Sequence, residues 1–398
     1  MSELSYLEKL MDGVEVEWLP LSKVFNLRNG YTPSKTKKEF WANGDIPWFR
    51  MDDIRENGRI LGNSLQKISS CAVKGGKLFP ENSILISTSA TIGEHALITV
   101  PHLANQRFTC LALKESYADC FDIKFLFYYC FSLAEWCRKN TTMSSFASVD
   151  MDGFKKFLIP RPCPDNPEKS LAIQSEIVRI LDTFSALTAE LTAELNMRKK
   201  QYNYYRDQLL SFKEGEVEWK TLGEVAVIGT GNHDTQDAIE HGKYIFYARG
   251  REPLKLNVFD FDETAIITAG DGAGVGKVFH YAKGKYALHQ RAYRIVPNAF
   301  MNPRFVYHYI TAYFFTYIQK ASVSSSVTSL RRPMFLKFPI PVPPSEEQAR
   351  IVEILDKFDT LTNSITEGLP REIELRQKQY EYYRDLLFSF PRPETASN

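Results

Sequence analysis

The sequence lacks any apolar run long enough to cross a membrane. Its most aromatic stretch, FLFYYCF at residues 125–131, is far shorter than the roughly 20 residues that a spanning helix needs. The opening residues, MSELSYLEKLMDGVEVEW, contain neither the apolar core nor the cleavage site of a secretory signal. These absences predict a cytoplasmic protein without a membrane anchor.

Cysteine is scarce, and no metal-binding pattern occurs. The six cysteines all lie in the first half of the chain, and none belongs to a Cys-x-x-Cys motif. The seven histidines include no pair four residues apart, and none is grouped with cysteine. We therefore predict reduced cysteines, with no disulfide framework and no metal site.

Strong charge and catalytic motifs are absent as well. A net charge of +1 excludes a strongly cationic nucleic-acid coat protein, although local basic patches can still bind DNA. GDGAGVGK at residues 270–277 resembles a phosphate-binding loop, but Asp271 stands where that motif needs glycine, and Val278 where it needs serine or threonine. We interpret it as a glycine-rich turn between strands. No methyltransferase, nuclease or Ser-His-Asp motif occurs, so no catalytic residue and no enzyme activity are predicted.

What the chain does contain is an internal repeat. Its 398 residues, with 44% hydrophobic and 13% aromatic content, can form two or three globular domains. QYNYYRDQLLSF at residues 201–212 returns as QYEYYRDLLFSF at residues 379–390, with nine of twelve residues identical. Two further pairs of segments recur: IVRILDTFSALT (177–188) with IVEILDKFDTLT (351–362), and GVEVEWLPLSKV (13–24) with GEVEWKTLGEV (215–225). The chain therefore consists of two units with one plan.

Both copies end in a helical pattern with coiled-coil spacing. Apolar residues at steps of three, four or seven form an a/d seam, in which Arg198 fills one gap. The first seam contains Ile177, Leu181, Phe184, Leu187, Leu191, Leu195, Tyr202, Tyr205, Leu209 and Phe212. The second contains Ile351, Leu355, Phe358, Leu361, Ile365, Tyr380, Tyr383, Leu387 and Phe390. Gly368-Leu369-Pro370 predicts a kink or a break in the second helix.

The predicted fold class is α+β (mixed α/β), with two globular domains joined by two long antiparallel helices that form a coiled coil with pseudo-twofold symmetry. Short apolar runs broken by Gly, Pro, Asn and Asp predict that the globules are rich in strands. The Ile-Pro-x-Pro stretches at residues 159–162 and 340–343 are interpreted as stiff linkers. The predicted segments are an N-terminal segment (1–20), a first globule (21–162), a central helical spacer (163–214), a second globule (215–343) and a C-terminal helical spacer with a tail (344–398).

Polar and basic residues in the loops of the two globules are the candidates for function. Gln106-Arg107 and Gln290-Arg291 recur at equivalent points of the two units. Because arginine recognises guanine and glutamine recognises adenine through paired hydrogen bonds, this recurrence indicates DNA. The alternative for each residue is a solvated surface or an internal salt bridge.

Other candidates stand near predicted strands. Arg50, Asp52 and Asp53 follow the strand-like IPWF and would face base edges, while Arg249 and Arg251, at a spacing of two, are predicted on one face of a strand. The full set of candidate DNA-binding residues is Thr32, Ser34, Lys35, Lys37, Arg50, Asp52, Ser87, Thr88, Gln106, Arg107, Tyr247, Arg249, Arg251, Gln290, Arg291, Arg331 and Arg332.

The chain resembles the specificity subunit of a type I restriction–modification enzyme, and is most similar to the type IC group. The resemblance covers essentially the whole chain and is carried by GVEVEW, the Ile-Pro-x-Pro stretches, QSEIVRILD, QYNYYRD and QYEYYRD. GYTPSKTKKEFWANGDIPWF at residues 30–49 is similar to a common opening of a target recognition domain, with Tyr31 in place of the usual small residue before Thr32. FDFDETAIITAGDGAGVG and GKYALHQRAY make the second globule similar to another known type.

This resemblance implies a function in DNA recognition. Each globule would be a target recognition domain for one half of a split, asymmetric sequence in double-stranded DNA. The helices would set the gap between the halves and bind two methyltransferase subunits, which restriction and translocase subunits then join. No cofactor is expected in this chain, whereas S-adenosylmethionine, ATP and magnesium are expected on the partner subunits.

The helices carry the candidate spacer and docking residues. These are Leu187, Leu191, Leu195, Tyr202, Tyr205, Arg206, Leu361, Ile365, Tyr380, Tyr383 and Arg384. Tyrosines cover more than one helix face in residues 202–205 and 380–383, so at least one in each set is predicted to point off the seam, towards a methyltransferase. LTAELTAEL at residues 187–195 is similar to the type IC spacer. A third TAEL unit would add ~6 Å of helix and lengthen the gap by one or two base pairs.

Two other functions stay open on the sequence alone. One is an enzyme with an unfamiliar site, which S-adenosylmethionine binding by the purified chain would reveal. The other is a stand-alone sequence-specific DNA-binding protein, which would bind its site tightly without a methyltransferase. The modest net charge counts against the second, because phosphate neutralisation supplies much of the affinity for DNA.

Overall fold

The computed structural model describes residues 13–142, 147–213, 215–321, 329–364 and 366–392. The chain divides into two compact units: unit 1 comprises Met1–Ala189 with Leu375–Asn398, and unit 2 comprises Glu190–Glu374. The five predicted segments follow the repeat instead of this division, and they stay a prediction. No helix in the described part of the chain is long and apolar enough to cross a membrane.

Unit 1 begins with short strands and ends in helices. Its strands are β1 (Val16–Pro20), β2 (Phe25–Asn29), β3 (Ile46–Phe49), β4 (Ile60–Leu61), β5 (Lys67–Ile68), β6 (Ser83–Ser87), β7 (His95–Ile98), β8 (Leu103–Ala104), β9 (Phe108–Leu113), β10 (Thr141–Thr142), β11 (Ser148–Val149) and β12 (Leu158–Pro162). Its helices are α1 (Leu21–Val24), α2 (Met51–Asn57), α3 (Ile123–Lys139), α4 (Met151–Lys156) and the first part of α5 (Pro167–Leu209).

Unit 2 follows the same plan with longer strands. Its strands are β13 (Glu218–Thr221), β14 (Ala226–Thr230), β15 (Tyr244–Tyr247), β16 (Leu254–Leu256), β17 (Phe261–Ala269), β18 (Phe279–Leu288), β19 (Ala292–Pro297) and β20 (Pro339–Val342). The remaining helices of the chain are α6 (Leu222–Val225), α7 (Pro303–Ala321), α8 (Arg332–Leu336), α9 (Ser345–Asn363) and α10 (Gly368–Leu387). The glycine-rich residues 270–278 form the turn between β17 and β18, as predicted.

The two main sheets share the arrangement of their first three strands. Unit 1 orders its largest sheet β2-β9-β6-β7-β4, and unit 2 orders its sheet β14-β19-β17-β18-β15-β16. In both, the first strand pairs antiparallel with a strand that follows a tight turn, and that strand pairs antiparallel with the central buried strand. The repeat in the sequence is therefore a repeat of topology, even where the intervening residues differ.

The Ile-Pro-x-Pro stretches are strands, so their interpretation as linkers was wrong. β12 pairs antiparallel with β1, and Trp18 lies opposite Pro160. β20 pairs antiparallel with β13, and Trp219 lies opposite Pro341. Each ribbon has only two strands, so both are edges, where the missing N–H of proline costs no ladder hydrogen bond. The ribbons join the start of each globule to its end.

A buried glutamine fixes a helix to the globule in each unit. Gln174 of α5 accepts a hydrogen bond from the Asp122 backbone N–H at 2.9 Å and donates to the Cys120 carbonyl at 2.9 Å. Gln348 of α9 accepts from the Asn302 backbone N–H at 2.7 Å and donates to the Pro343 carbonyl at 2.9 Å. Both glutamines are buried, and each bonds partly buried backbone groups just before α3 or α7, where Gln348 also donates to the Phe300 carbonyl at 3.3 Å.

A carboxylate on the same helix makes a second link. In unit 1, Asp182 accepts hydrogen bonds from Lys124 at 2.7 Å and from the Tyr128 hydroxyl at 2.6 Å. In unit 2, Asp356 accepts from Arg304 at 2.7 Å and from the buried His308 at 2.6 Å. Arg304 also donates to Asp359 at 2.7 Å. The repeated helices therefore hold both globules through equivalent residues of different chemistry.

The duplicated tyrosine-rich segments complete the two cores. In unit 1, Tyr380, Leu387, Phe388 and Phe390 belong to the core that also contains α3 and the start of α5. In unit 2, Leu210 is buried in the core formed with α7 and α9, and Tyr202, Leu209 and Phe212 pack against that core. Each copy therefore supplies apolar side chains to one globule, which explains why the chain needs the segment twice.

Ring contacts place the helices of each unit side by side. In unit 1, the Phe184 ring of α5 stacks on Tyr383 of α10, with centroids 5.3 Å apart. In unit 2, the Phe358 ring of α9 stacks on Tyr205 of α5, with centroids 5.6 Å apart. These four residues belong to the predicted seams. The predicted break in the second helix is confirmed, since α9 ends at Asn363 and α10 begins at Gly368.

Candidate nucleic-acid interface

Three segments converge at one end of each globule. The first follows the first strand of the main sheet, where Gly30 and Gly231 occupy equivalent places. A Cβ at Gly30 would lie 2.1 Å from the Asn105 carbonyl oxygen, and one at Gly231 would lie 1.9 Å from the Leu288 carbonyl oxygen. Only glycine allows the chain to pass so close to the neighbouring backbone.

The second segment is the end of a parallel strand. β3 runs parallel to β8, and β15 runs parallel to β18. The carbonyl of Phe49, the last residue of β3, accepts the Asn105 N–H at 3.1 Å. The carbonyl of Tyr247, the last residue of β15, accepts the His289 N–H at 3.0 Å. The residues after Phe49 and Tyr247 therefore emerge beside the third segment in both units.

The third segment is a turn that presents glutamine and arginine. In unit 1, the Asn105 side chain accepts the Arg107 N–H at 3.0 Å, and in unit 2 the His289 Nδ1 accepts the Arg291 N–H at 2.9 Å. Each turn leads directly into the next strand, and all four Gln and Arg side chains are exposed. The two Gln-Arg turns, residues 105–107 and 289–291, are therefore equivalent in structure as well as in sequence.

Unit 1 has a cleft of about 830 Å³ beside its Gln-Arg turn. Residues of all three segments line it: Thr32, Lys35, Lys38, Trp41, Ala42, Trp48, Arg50, Met51, Asp52, Arg55, Gln66, Asn105, Gln106 and Arg107. Five of these side chains are basic and one is acidic, so the cleft suits a polyanion. The structure thus brings together six of the predicted residues, Thr32, Lys35, Arg50, Asp52, Gln106 and Arg107.

Contacts inside this cleft orient several of its polar groups. The Thr32 hydroxyl donates to the side-chain oxygen of Gln106, which leaves the Gln106 amide N–H groups directed elsewhere. Asp52 lies 3.9 Å from both Arg50 and Arg55. Such loose pairs are weak and exchange readily for phosphate or base contacts.

Four other predicted residues of unit 1 lie outside the cleft lining. Ser34 and Lys37 are exposed close to it in the same loop as Lys35. Ser87 is fully buried and its hydroxyl donates to the Ser89 carbonyl at 2.9 Å, so its side chain cannot reach DNA in this conformation. Thr88 is half-buried, and its hydroxyl lies 3.1 Å from that of Thr109.

Asp53 has a structural role instead of facing base edges. It is fully buried, and its carboxylate accepts the backbone N–H groups of Arg50 and Leu65, each at 2.6 Å. These hydrogen bonds fix the start of α2 directly after β3. Asp53 therefore positions Arg50 and Asp52 at the edge of the cleft.

Unit 2 has two adjacent clefts that share one carboxylate, Asp271. One, of about 530 Å³, is lined by Arg249, Gly250, Arg251, Asp271, Gly272, Ala273, Gly274, Lys277 and Val278. The other, of about 280 Å³, is lined by Thr230, Gly270, Asp271, Gln290, Arg291, Tyr293, Ser329 and Leu330. Of the predicted residues, Arg249 and Arg251 meet in the first cleft, and Gln290 and Arg291 in the second.

Carboxylates hold the polar side chains of unit 2. Arg249 donates to one oxygen of Asp271 and Arg291 to the other, both at 3.0 Å. The Gln290 amide donates to Asp234 at 3.0 Å. Burial opposes the ionisation of Asp271, but the hydrogen bonds from the two arginines outweigh it and hold the pKa of Asp271 below its ordinary value.

The structure corrects the placement of Arg249 and Arg251 and of Tyr247. β15 ends at Tyr247, and both arginines lie in the bend that follows, so they do not share a strand face. Tyr247 is buried between Tyr286 and His280, which removes it from the accessible surface. Arg331 and Arg332, at the start of α8, are exposed but line neither of the two clefts.

Sequence reasoning left several cleft residues out of the candidate set. In unit 1 these include Arg55, Gln66 and Asn105, and in unit 2 Asp271 and Lys277. Asn105 and His289 could have been found, because each directly precedes a recurring Gln-Arg pair. Within the described residues no group of three or more His, Cys, Asp or Glu side chains could hold a metal ion.

In each duplicated segment the most exposed tyrosine lies off the predicted seam, whereas its contact with a methyltransferase stays a prediction. Tyr204 is 62% exposed and Tyr382 is 58% exposed, although both rings contact the next tyrosine along the helix. Met197 and Leu375, seven residues before them, are also exposed. Residues seven apart share a helix face, so unit 2 presents the pair Met197–Tyr204 and unit 1 the equivalent pair Leu375–Tyr382.

Other predicted helix residues are less accessible. Tyr202 and Tyr380 pack into the cores, and Arg206 and Arg384 lie over their rings, with guanidinium carbons 5.8 and 5.9 Å from the ring centroids. Tyr205 is 45% exposed. Half-buried positions are Leu187, Leu191, Leu195, Leu361, Tyr383 and Arg384. Ile365 lies outside the described residues.

Comparison with known proteins gives a consistent result. The family model described as type I restriction modification DNA specificity domain matches twice, at residues 13–198 and 214–375. The chain is 69% identical over 378 residues to the type I restriction enzyme EcoprrI specificity subunit of Escherichia coli, covering 92% of this chain and 93% of that protein. It is 42% identical to the EcoR124I/EcoR124II specificity subunit of Escherichia coli, over the full length of both.

A solved structure supports the fold independently. The type I restriction–modification S subunit from M. genitalium superposes with a TM-score of 0.60 at 17% identity, covering 96% of this chain and 98% of that one. The predicted fold class, with two globules of mixed helix and sheet joined by long helices, is confirmed.

Proposed function

The chain belongs to the family of type I restriction–modification DNA specificity subunits, and from this premise we propose that each of its two units recognises one half of a bipartite DNA sequence. Its function is DNA recognition within a complex with other subunits, not catalysis. The observation that carries the proposal is the pair of equivalent Gln-Arg turns at clefts where basic side chains outnumber acidic ones. The cleft of unit 1 has five basic side chains and one acidic one, and the two adjacent clefts of unit 2 together have four basic side chains and one acidic one.

The two halves of the site would differ in sequence. Equivalent positions around the two turns carry different side chains: Asn105 corresponds to His289, and the partner of Gln106 is Thr32, whereas that of Gln290 is Asp234. Hydrogen-bond donors and acceptors at the base edges decide which base is accepted. Two unlike recognition surfaces on one fold therefore favour an asymmetric site.

The helices would set the gap between the half-sites. α5 is continuous over 43 residues, Pro167–Leu209, which corresponds to ~65 Å of helix at ~1.5 Å per residue. LTAELTAEL lies inside it, with Leu187, Leu191 and Leu195 half-buried on one face. A third TAEL unit would keep this face in phase to within ~40° and lengthen the gap by one or two base pairs. A changed half-site with an unchanged gap would contradict this account.

The exposed pairs Met197–Tyr204 and Leu375–Tyr382 would each bind one methyltransferase subunit. Two equivalent surfaces with closely similar residues suit two copies of one partner. Restriction and translocase subunits would join through the methyltransferases. S-adenosylmethionine, ATP and magnesium would bind to these partners and not to this chain.

Adenine methylation tests the proposal most directly. The chain is expressed with its neighbouring methyltransferase in a methylation-free host, and modified adenines are mapped by single-molecule sequencing, with and without this chain. We expect a two-part motif with a fixed gap that appears only when the chain is present. Methylation that is absent, or independent of the chain, would contradict the proposal and favour a stand-alone DNA-binding protein.

A further inference from the structure

Ser89 of unit 1 and Asp271 of unit 2 occupy equivalent positions. The residue before each one donates its backbone N–H to the arginine carbonyl of the Gln-Arg turn: Thr88 to Arg107 at 2.9 Å, and Gly270 to Arg291 at 2.8 Å. Ser89 and Asp271 are also each part of an isolated antiparallel bridge, to Ser148 and Ser329. A carboxylate therefore replaces a hydroxyl at one point of the shared framework.

Asp271 holds two arginines that are separated in sequence. Its two oxygens accept from Arg249 and from Arg291, both at 3.0 Å. The Asp271 side chain is 23% exposed, whereas Arg249 and Arg291 are 42% and 63% exposed. Each guanidinium has five N–H donors, so most of its donors remain available to a ligand at the cleft surface.

Stability alone does not account for this arrangement. Ion pairs between exposed side chains contribute little, because solvent screens them and ordering long side chains costs entropy. Without Asp271, two arginines with like charge would repel each other and sample many rotamers. With it, both planar groups are held side by side before any ligand arrives, which lowers the entropy lost on binding.

We propose that Asp271 is a positioning residue that determines the base specificity of unit 2, by holding Arg249 and Arg291 as a fixed pair of donors for guanine. The inference rests on the proposed function, since it needs unit 2 to recognise a DNA half-site. Paired N–H donors in a fixed plane match the O6 and N7 acceptors of guanine in the major groove. Unit 1 carries Ser89 at this position and so recognises its half-site without such a pair.

The test compares Asp271→Asn with Asp262→Asn in the complete chain, expressed with its methyltransferase in a methylation-free host. Asp262 is exposed on β17, the same strand that leads to Asp271, and serves as the matched control. Single-molecule sequencing then measures methylation at every variant of the wild-type motif. Thermal unfolding of each purified chain reports whether the fold is kept.

We expect Asp271→Asn to reduce discrimination at one or two G·C pairs of a single half-site by roughly tenfold, the size typical of one bidentate contact. The other half-site and the gap should stay unchanged, and Asp262→Asn should reproduce the wild-type motif. A folded Asp271→Asn chain that keeps full discrimination, or that loses methylation at all sites equally, overturns the inference. In the first case the proposed function still stands, whereas a wild-type chain without any bipartite motif would refute that function itself.

If Asp271→Asn does not fold, conservative substitutions of the two arginines test whether they act as a pair. Arg249→Lys and Arg291→Lys keep the charge but lose the planar pair of donors. Because one carboxylate holds both guanidiniums, each variant should relax the same base pair or two adjacent ones. Relaxation at distant positions, in different half-sites or at none overturns the inference.

Discussion

Units 1 and 2 place the same dipeptide at the same turn and surround it differently. In unit 1 a hydroxyl holds Gln106, whereas in unit 2 carboxylates hold both Gln290 and Arg291. The helices show the opposite behaviour: the Tyr204–Tyr205 and Tyr382–Tyr383 ring pairs have centroids 5.4 Å apart in both units. The repeat is kept where both units need the same packing and has diverged where each would meet its own DNA sequence.

The largest expected effect on stability is at the buried glutamines, Gln174 and Gln348, which both units share. Gln174→Leu and Gln348→Leu each leave partly buried backbone N–H and carbonyl groups without their side-chain partners, which should cost about 3 kcal/mol of unfolding free energy. The cost should be nearly equal, because both glutamines are buried and bond equivalent groups. Hydrogen exchange with mass spectrometry measures it locally, in α3 for the first variant and in α7 for the second. Gln208→Leu, at an exposed position of α5, is the control. A clear loss of protection from hydrogen exchange in only one unit would show that the hydrogen bonds of the two glutamines are not equivalent.

A smaller loss of unfolding free energy, unequal between the two units, is expected at Asp182 and Asp356. Asp182→Asn should cost about 1 kcal/mol and Asp356→Asn about 2 kcal/mol of unfolding free energy. The Arg304 side chain that Asp356 binds is less exposed than the Lys124 side chain that Asp182 binds (21% against 38%), and Asp356 also accepts from His308. Denaturant unfolding of the full chain, followed by exchange in α3 and α7, measures the difference. Equal costs would show that the identity of the donors does not matter.

The contribution of Asp356 should depend on pH. Burial opposes its ionisation, but hydrogen bonds from His308 and Arg304 lower the pKa of Asp356 in the folded chain. A carboxyl group whose pKa is lower in the folded chain than in the unfolded chain stabilises the fold at pH values above its unfolded pKa. This stabilisation is lost as the pH falls through the folded pKa. The stability difference between wild type and Asp356→Asn should therefore be constant near neutral pH and shrink below about pH 4. A difference that grows with acidity would contradict this assignment.

Substitution of the arginine in each Gln-Arg turn should show which unit recognises which half-site. Arg107→Ala and Arg291→Ala should each reduce base discrimination by roughly tenfold, in opposite half-sites of the methylated motif. Each variant uses its untouched half-site as an internal control. Methylation mapping with the co-expressed methyltransferase measures both. Relaxation of the same half-site by both variants would contradict one unit per half-site.

The smallest effect on stability is expected at the exposed tyrosines. Tyr204→Ser and Tyr382→Ser should each change the unfolding free energy by less than about 0.5 kcal/mol, as is usual for surface positions. Each should nevertheless weaken the binding of one methyltransferase copy, so native mass spectrometry should find complexes with a single methyltransferase. Ser211→Ala, at an exposed position after α5, provides a control. Full complexes with both variants would show that the partner binds elsewhere.

Regular and repeated features could be predicted from the sequence. The spacing of the apolar residues predicted the long helices, and Gly368-Leu369-Pro370 predicted the break after Asn363. Both features depend on residues that are close together in the sequence. The pairing of β12 with β1 could not be predicted, since the partner strands are far apart in sequence and proline suggested a linker.

The candidate site was predictable only in part, for a similar reason. The Gln-Arg turns were found because they recur, and both are exposed beside clefts. Ser87 and Tyr247 were misplaced, because the burial of a polar or aromatic residue at a strand end depends on packing from distant segments. The contacts of Asp271 could not be predicted from the sequence around it, because the fold brings Arg249 and Arg291 to it from distant segments.

The division of the chain has a consequence for its synthesis on the ribosome. Unit 2 is one continuous stretch, Glu190–Glu374, whereas unit 1 needs Leu375–Asn398 to join Met1–Ala189. Phe388 and Phe390 fill the core of unit 1 but emerge only after all of unit 2 has been made. We therefore expect nascent unit 1 to stay incomplete longest, with its apolar surface exposed to chaperones and proteases. A premature stop codon shortly before residue 375 would then harm the first half of the protein more than the second.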